Sequence, residues 1–247
     1  MKKLLSAVVI GLSATAAQAG PSINIGTVYD YMDGDSSTYL KRVYNGGEST
    51  AFVRVNIYQI AFDATGEATE TPLDNQGSSV AQRKGLVASP ARLIVPAKGM
   101  QATRLLFIGE RDHERYYRVR FLPVVPEKAD QFDVSDSDRE QYKEAMSAGV
   151  NIMTGYGSIL FIRPKNTRFE TKIQDGPVDY RVENAGNSTI VLDEFQDCSA
   201  KNESDCQTTK KHHVRPGKVF RFAKDSDRLY RFNLVEGKAI KKIQVGK

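Results

Sequence analysis

Ala51-Phe52-Val53-Arg54-Val55-Asn56-Ile57-Tyr58-Gln59-Ile60 alternates residue by residue, with Val53, Val55, Ile57 and Gln59 on one side and Phe52, Arg54, Asn56 and Tyr58 on the other. A period of two is that of a β-strand, and β-branched and aromatic side chains suit its pleated surface. The style recurs outward in both directions. Residues 39–44 form a similar run that stops at Asn45-Gly46-Gly47, and residues 86–87, 92–95, 101–108 and 115–125 follow with prolines and glycines between them. Residues 168–173, 178–183, 189–195, 208–214, 219–222, 229–234 and 240–245 repeat it towards the C-terminus. Short strands separated by turn residues predict an all-β chain of the sandwich or barrel type.

Two stretches break the pattern. Residues 61–85 are polar and turn-rich and read as a loop. Residues 127–146 are acidic and poor in strand formers, and they read as a long flexible loop with a short helical turn near 139–146. Residues 149–163 then form the longest strand expected in the chain, and Pro164-Lys165-Asn166 reads as a linker. The expected division is therefore a first domain over 20–163 and a second over 164–247, each with about the strand complement of an immunoglobulin-like sandwich.

Lys2, Lys3, the apolar run 4–16 and Ala17-Gln18-Ala19 have the form of a secretory leader cleaved after Ala19. The apolar run is too short to span a bilayer and no second one follows, which predicts an exported protein without membrane insertion. The chain carries 35 Lys and Arg against 30 Asp and Glu, and two of the lysines leave with the leader. Such mild basicity argues against a nucleic-acid partner. Cys198 and Cys206 are the two cysteines; in an oxidising compartment a close pair predicts a disulfide that pins a local loop. Chemistry is sparse. There is no G-x-S-x-G, H-E-x-x-H or phosphate loop. His212 and His213 are adjacent and cannot readily share one face of a strand as metal ligands. Asp136 and Asp138 fall in the expected loop, where nothing would hold them for acid–base work. The expectation is a protein that is not an enzyme, with no cofactor and no metal.

Three stretches carry a family resemblance. They are Ser89-Pro90-Ala91-Arg92-Leu93-Ile94-Val95-Pro96-Ala97-Lys98-Gly99 with Thr103-Arg104-Leu105, Glu114-Arg115-Tyr116-Tyr117-Arg118-Val119, and Gly157-Ser158-Ile159-Leu160-Phe161-Ile162-Arg163-Pro164. In order and spacing they resemble the periplasmic chaperones of chaperone–usher pili. Tyr117-Arg118-Val119 and the Cys198–Cys206 loop look more like the alternate, α-fimbrial branch. The resemblance implies two immunoglobulin-like β-sandwich domains in an L with a cleft between them. It implies a periplasmic chaperone that caps major and tip pilus subunits and delivers them to an outer-membrane usher for fimbrial assembly. The alternative, a structural pilin or adhesin subunit, fits less well a chain with strands enough for two complete domains.

The mechanism that this resemblance implies is donor-strand complementation. The chaperone lends a strand to a subunit whose own fold lacks one: backbone hydrogen bonds give affinity and alternate apolar side chains fill the groove. On that reading Val150, Ile152 and Tyr156 are the subunit-binding residues, while Leu160 and Ile162 pack in the chaperone itself. The main branch of the family grips the subunit's terminal carboxylate with a first-strand arginine and a seventh-strand lysine. Here those positions fall near Tyr29 and at Ile159. The cation that a carboxylate needs is then sought among Arg118 first, Arg120 second, and Arg163, which matches a family arginine that joins the domains.

Overall fold

A computed structural model of the chain describes residues 20–73, 84–147 and 151–246. The expectations for the leader, 1–19, and for Val150 lie outside the described residues. Two β-sandwiches follow one another along the chain. In the first, one sheet runs β1 (Ile23–Asn24), β3 (Thr38–Asn45), β8 (Met100–Ile108), β6 (Gly85–Ser89). The facing sheet runs β2 (Tyr29–Met32), β10 (Tyr156–Ile162), β9 (Arg115–Val124), β4 (Ala51–Phe62), β5 (Ala68–Pro72), with β7 (Arg92–Val95) also on β4. The second sandwich packs β11 (Thr171–Asp175), β12 (Asp179–Asn184) and β15 (Val219–Ala223) on β14 (Lys210–Val214), β13 (Ile190–Ser199), β16 (Arg228–Glu236) and β17 (Ala239–Val245).

The alternation quoted above is the structural basis of the first core. Val53, Val55 and Ile57 of β4 point inward with Leu93, Leu105, Tyr117, Phe121, Leu160 and Ile162. The initial strand changes sheets: β1 pairs with β3 and β2 with β10. Gly26, at φ +68, makes the intervening turn without a Cβ penalty.

Between the sheets lies a buried ion pair. Lys41 Nζ is 2.7 Å from Asp30 Oδ2, and both side chains are fully enclosed. Asp30 Oδ1 also accepts from Thr27 Oγ1 at 2.6 Å and Tyr39 OH at 2.8 Å. Lys41 donates in addition to the Thr27 carbonyl. These bonds tie β2 to β3 across the sandwich. Removing one partner strands the other charge, which typically costs about 3–5 kcal/mol, whereas replacing both by apolar groups can be nearly neutral. Asp30→Ala is expected to lower the urea midpoint sharply, and Asp30→Ala with Lys41→Met to recover most of it. Equal losses in the single and double variants would show that the charges are not coupled.

Three expectations need correction. Residues 127–146 are not a flexible loop. Lys128–Asp130 is a 3₁₀ turn and Asp136–Ser147 is a helix, α1. Ser135 accepts from the Asp138 amide at 3.1 Å, capping the N-terminus, and Asp136 and Asp138 lie in the first turn where the helix dipole favours them. The helix is docked: Phe132 and Tyr142 meet Phe52 edge-on, and Tyr142 OH donates to the Thr50 carbonyl at 2.8 Å. The second correction concerns 149–163. Its longest-strand expectation fails, because paired strand begins only at Tyr156; β4 is longer. Register with β9 ends at Tyr156↔Phe121, and residues 151–155 have no ladder partner among the described residues. An alternating sequence specifies an extended chain, not the partner that would make it a strand. Residues 61–85 likewise contain a strand, β5, paired along β4.

Candidate functional site: the open edge of β10 and the interdomain cleft

The inward face of β10 is occupied in two different ways. Leu160 and Ile162 are completely buried in the first core, and Ser158 is also buried. Upstream, the even positions emerge: Tyr156 is 38 % exposed and Ile152 is 82 % exposed. The backbone changes at the same place. β2 pairs with β10 only from Tyr29↔Ile159 onwards, and the last bond upstream runs from the Ile159 amide to the Val28 carbonyl at 2.8 Å. Before Ile159, β10 is flanked by β9 alone among the described residues. Bare apolar side chains beside an unpaired backbone edge form a template for an added strand.

The outer face of this sheet leads into the cleft between the domains. One cross-strand row is Tyr31, Phe161, Tyr116 and Ile60, and the next is Tyr29, Ile159, Arg118 and Tyr58. The second sandwich covers the first row. His213 stacks on Phe161 with centroids 5.0 Å apart, and its Nε2 is 2.7 Å from the Tyr31 hydroxyl. Burial, and then the nearby Lys211 charge, push the His213 pKa down to about 4, so the ring is neutral at pH 7. His212, its neighbour on β14, turns the other way against Phe220 and Phe195. The adjacent histidines thus serve two separate packing sites.

Arg118 stands in the next row on this face, opposite Ile159 and beside Tyr58. Gly157 leaves room for it, since a Cβ there would meet Arg118 Cδ at 3.3 Å. Arg118 Nε donates to Glu70 Oε1 at 2.8 Å, and Arg120 Nη2 donates to Glu70 Oε2 at 2.7 Å. Burial opposes ionisation of Glu70, but the two guanidiniums outweigh it and hold its carboxyl below the ordinary range. Arg120 also lies over the Tyr58 ring, 4.3 Å from the centroid. Arg163 occupies a different place. It is buried, pairs with Asp33 at 2.6 Å, and lies between Tyr31 of the first sandwich and Phe169 of the second. Of the three arginines singled out in the sequence, two share the Glu70 carboxylate and one belongs to the seam.

Other seam residues have no sequence pattern to announce them. Glu114, immediately before β9, is buried at the contact. Its carboxylate accepts from Ser188 Oγ at 2.8 Å, from the Thr189 amide at 2.9 and 3.0 Å, from Thr189 Oγ1, and from Tyr116 OH at 2.8 Å. Arg111 spans the carbonyls of Met32, Asp33, Ser36 and Arg163, and desolvation lowers its pKa. Cys198 and Cys206 are joined by a disulfide that closes a local loop at the end of β13.

No protein-family model matches the chain. Among curated proteins, it is 27 % identical over 227 residues to the probable fimbrial chaperone EcpB of Escherichia coli O157:H7, covering 91 % of this chain and 90 % of that one. Among solved structures, the class 5 fimbriae chaperone CfaA superposes with a TM-score of 0.54 at 18 % identity, covering 90 % of this chain and 98 % of that one. The E. coli chaperone DraB gives 0.53 at 12 % identity, covering 92 % and 97 %. A chain from the complex of the Salmonella enterica SafA pilin with the SafB chaperone gives 0.52 at 12 %, covering 93 % and 97 %. The chain therefore resembles fimbrial chaperones in sequence over nearly its whole length, and it has the two-sandwich fold of the pilus chaperones.

Proposed function

We propose that the chain is a periplasmic, non-enzymatic chaperone that caps pilus subunits by lending them the segment 150–158 as a strand, and that hands them to an outer-membrane usher. The observation that carries this reading is the β10 edge. Ile152 and Tyr156 continue the apolar face that Leu160 and Ile162 bury in the protein's own core. Among the described residues, Tyr156 is paired with β9 alone and residues 151–155 have no ladder partner. The form of residues 1–19 supports export, with cleavage after Ala19. Similarity to named fimbrial chaperones, and to a chain from a pilin–chaperone complex, supports the choice of partner.

Within this reading Arg118 takes the subunit's terminal carboxylate. It lies in the cross-strand row of Ile159 and Tyr29, and the bond to Glu70 uses its Nε. The two Nη groups then offer a fork to a second carboxylate. Losing one partner of a desolvated, hydrogen-bonded pair costs about 2–5 kcal/mol. Arg118→Ala is expected to abolish recovery of co-expressed subunits from periplasm with little change in melting temperature. Arg118→Lys should restore part of it, and Arg120→Ala should be mild. Normal pilus assembly by Arg118→Ala would exclude this residue as the anchor.

A further inference from the structure

A second feature of the domain junction lies away from β10. A cleft of about 420 Å3 opens between the β4–β5 turn, at Thr65 and Gly66, and the β14–β15 connection, which crosses from one sheet of the second sandwich to the other. Lys211, Arg215 and Lys218 line it, and no Asp or Glu does. Lys211 is engaged by Asp193 at 3.1 Å. Arg215 is not so engaged. Its guanidinium carbon sits 3.4 Å from the centroid of the Phe62 ring, and Phe62 packs edge-on against Tyr116 of the seam. Among the described residues the Arg215 side chain forms no ion pair and no hydrogen bond. Gly66 stands close by: a Cβ there would be 3.4 Å from Arg215 Nη2.

Stacking strips water from one face of the guanidinium and fixes its plane. The ring quadrupole offsets only part of the cost of desolvating a cation. An oxyanion offsets the rest, and a planar fork of N–H groups fits a carboxylate at two points. Arg118, Arg120 and Arg163 each already hold a carboxylate, and Arg111 is spent on backbone carbonyls; among the described residues Arg215, with Lys218 beside it, has neither kind of partner.

We infer that this cleft is an oxyanion site whose occupant is a carboxylate carried by a polypeptide lying against both domains. A polypeptide is favoured over a free ion because the cleft is bordered by exposed Val219 and by Phe220, apolar surface that a small inorganic anion would not use. The inference goes beyond the donor-strand reading and stands without it, because anion binding is read on the purified protein alone.

The test follows the arginine Nε–Hε and Gly66 amide signals by NMR in the mature chain. The probes are acetyl-Gly-Glu-Gly-amide, its Gln counterpart and inorganic phosphate, at constant ionic strength. The Glu peptide should shift the Arg215 and Gly66 signals saturably, with a Kd on the order of 1–100 mM for a single charge-assisted contact. The Gln peptide should not. Arg215→Gln should abolish the Gly66 shift, Arg215→Lys should weaken binding several-fold, and Lys218→Ala should weaken it roughly two- to threefold. Arg118→Ala should leave it unchanged. Equal responses to the Glu and Gln peptides, or none, would overturn the site. Phosphate saturating at tenfold lower concentration than the Glu peptide would overturn the polypeptide source. Retained peptide binding with failed subunit capture by donor-strand variants, or the reverse, separates this inference from the proposed function.

Discussion

Ile152→Asp is expected to leave the thermal melting of the chain close to wild type and to abolish recovery of pilus subunits. Ile152 is 82 % exposed, so it contributes little to the chain's own core, and surface substitutions of this kind usually change stability by no more than about 0.5 kcal/mol. If the side chain fills a subunit's groove, binding buries it. An isoleucine then contributes about 1.5–3 kcal/mol, and a carboxylate in its place adds a desolvation cost of several kcal/mol. The sum predicts a loss of affinity of at least about a hundredfold. Val150→Asp should act in the same direction. Leu160→Asp is the contrasting control: it lies eight residues further along the same alternation but is wholly enclosed in the core. That variant should fail to fold. Undiminished co-purification of subunits with Ile152→Asp would move the donor segment elsewhere in the chain.

Glu114→Ala should have the second largest effect, on the coupling of the two sandwiches. Its carboxylate receives hydrogen bonds from Ser188, Thr189 and Tyr116 within a buried contact. Truncation leaves the Thr189 amide and three hydroxyls facing a void, and each buried unsatisfied donor costs about 1–3 kcal/mol. The loss falls on the seam and not on either core. Denaturant unfolding that is a single transition in wild type should separate into two, and small-angle scattering should report a wider distribution of interdomain distances. Glu114→Gln, which keeps an acceptor oxygen, should lie between the two. A single transition merely shifted to lower denaturant would mean that other seam contacts, such as His213 on Phe161 and Arg163 on Phe169, suffice to couple the domains. Mild acid should act on the same seam. The His213 pKa is depressed in the fold, so the unfolded chain binds the proton first. Stability from this group is therefore present above about pH 6.5 and is lost as pH falls towards 4.

The alternation of residues 51–60, the turn residues between short runs and the three motifs were enough to predict two β-sandwiches. They were also enough to single out the extended segment that ends at Pro164. Period-two patterning and turn chemistry are local, so they are written directly in the sequence. The helix at Asp136–Ser147 was legible in part, since Ser135 and Asp138 stand at capping spacing. Local sequence alone reads as a loop there, because the docking contact, Phe52, lies far away in the chain.

What the sequence by itself determined is which residues alternate and therefore which surfaces must be covered. It could not say where cover stops. Ile152 and Leu160 have the same parity and the same apolar character, yet one is bare and the other enclosed, because β2 reaches β10 only at Ile159. Charge behaves in the same way. Arg118, Arg163 and Arg215 are alike as letters, but folding gives the first to Glu70, buries the second against Asp33, and stacks the third on Phe62. Pairing of charges and termination of a sheet depend on which segments meet in space. Those meetings join residues as far apart as Glu114 and Thr189, and only the tertiary structure brings them together.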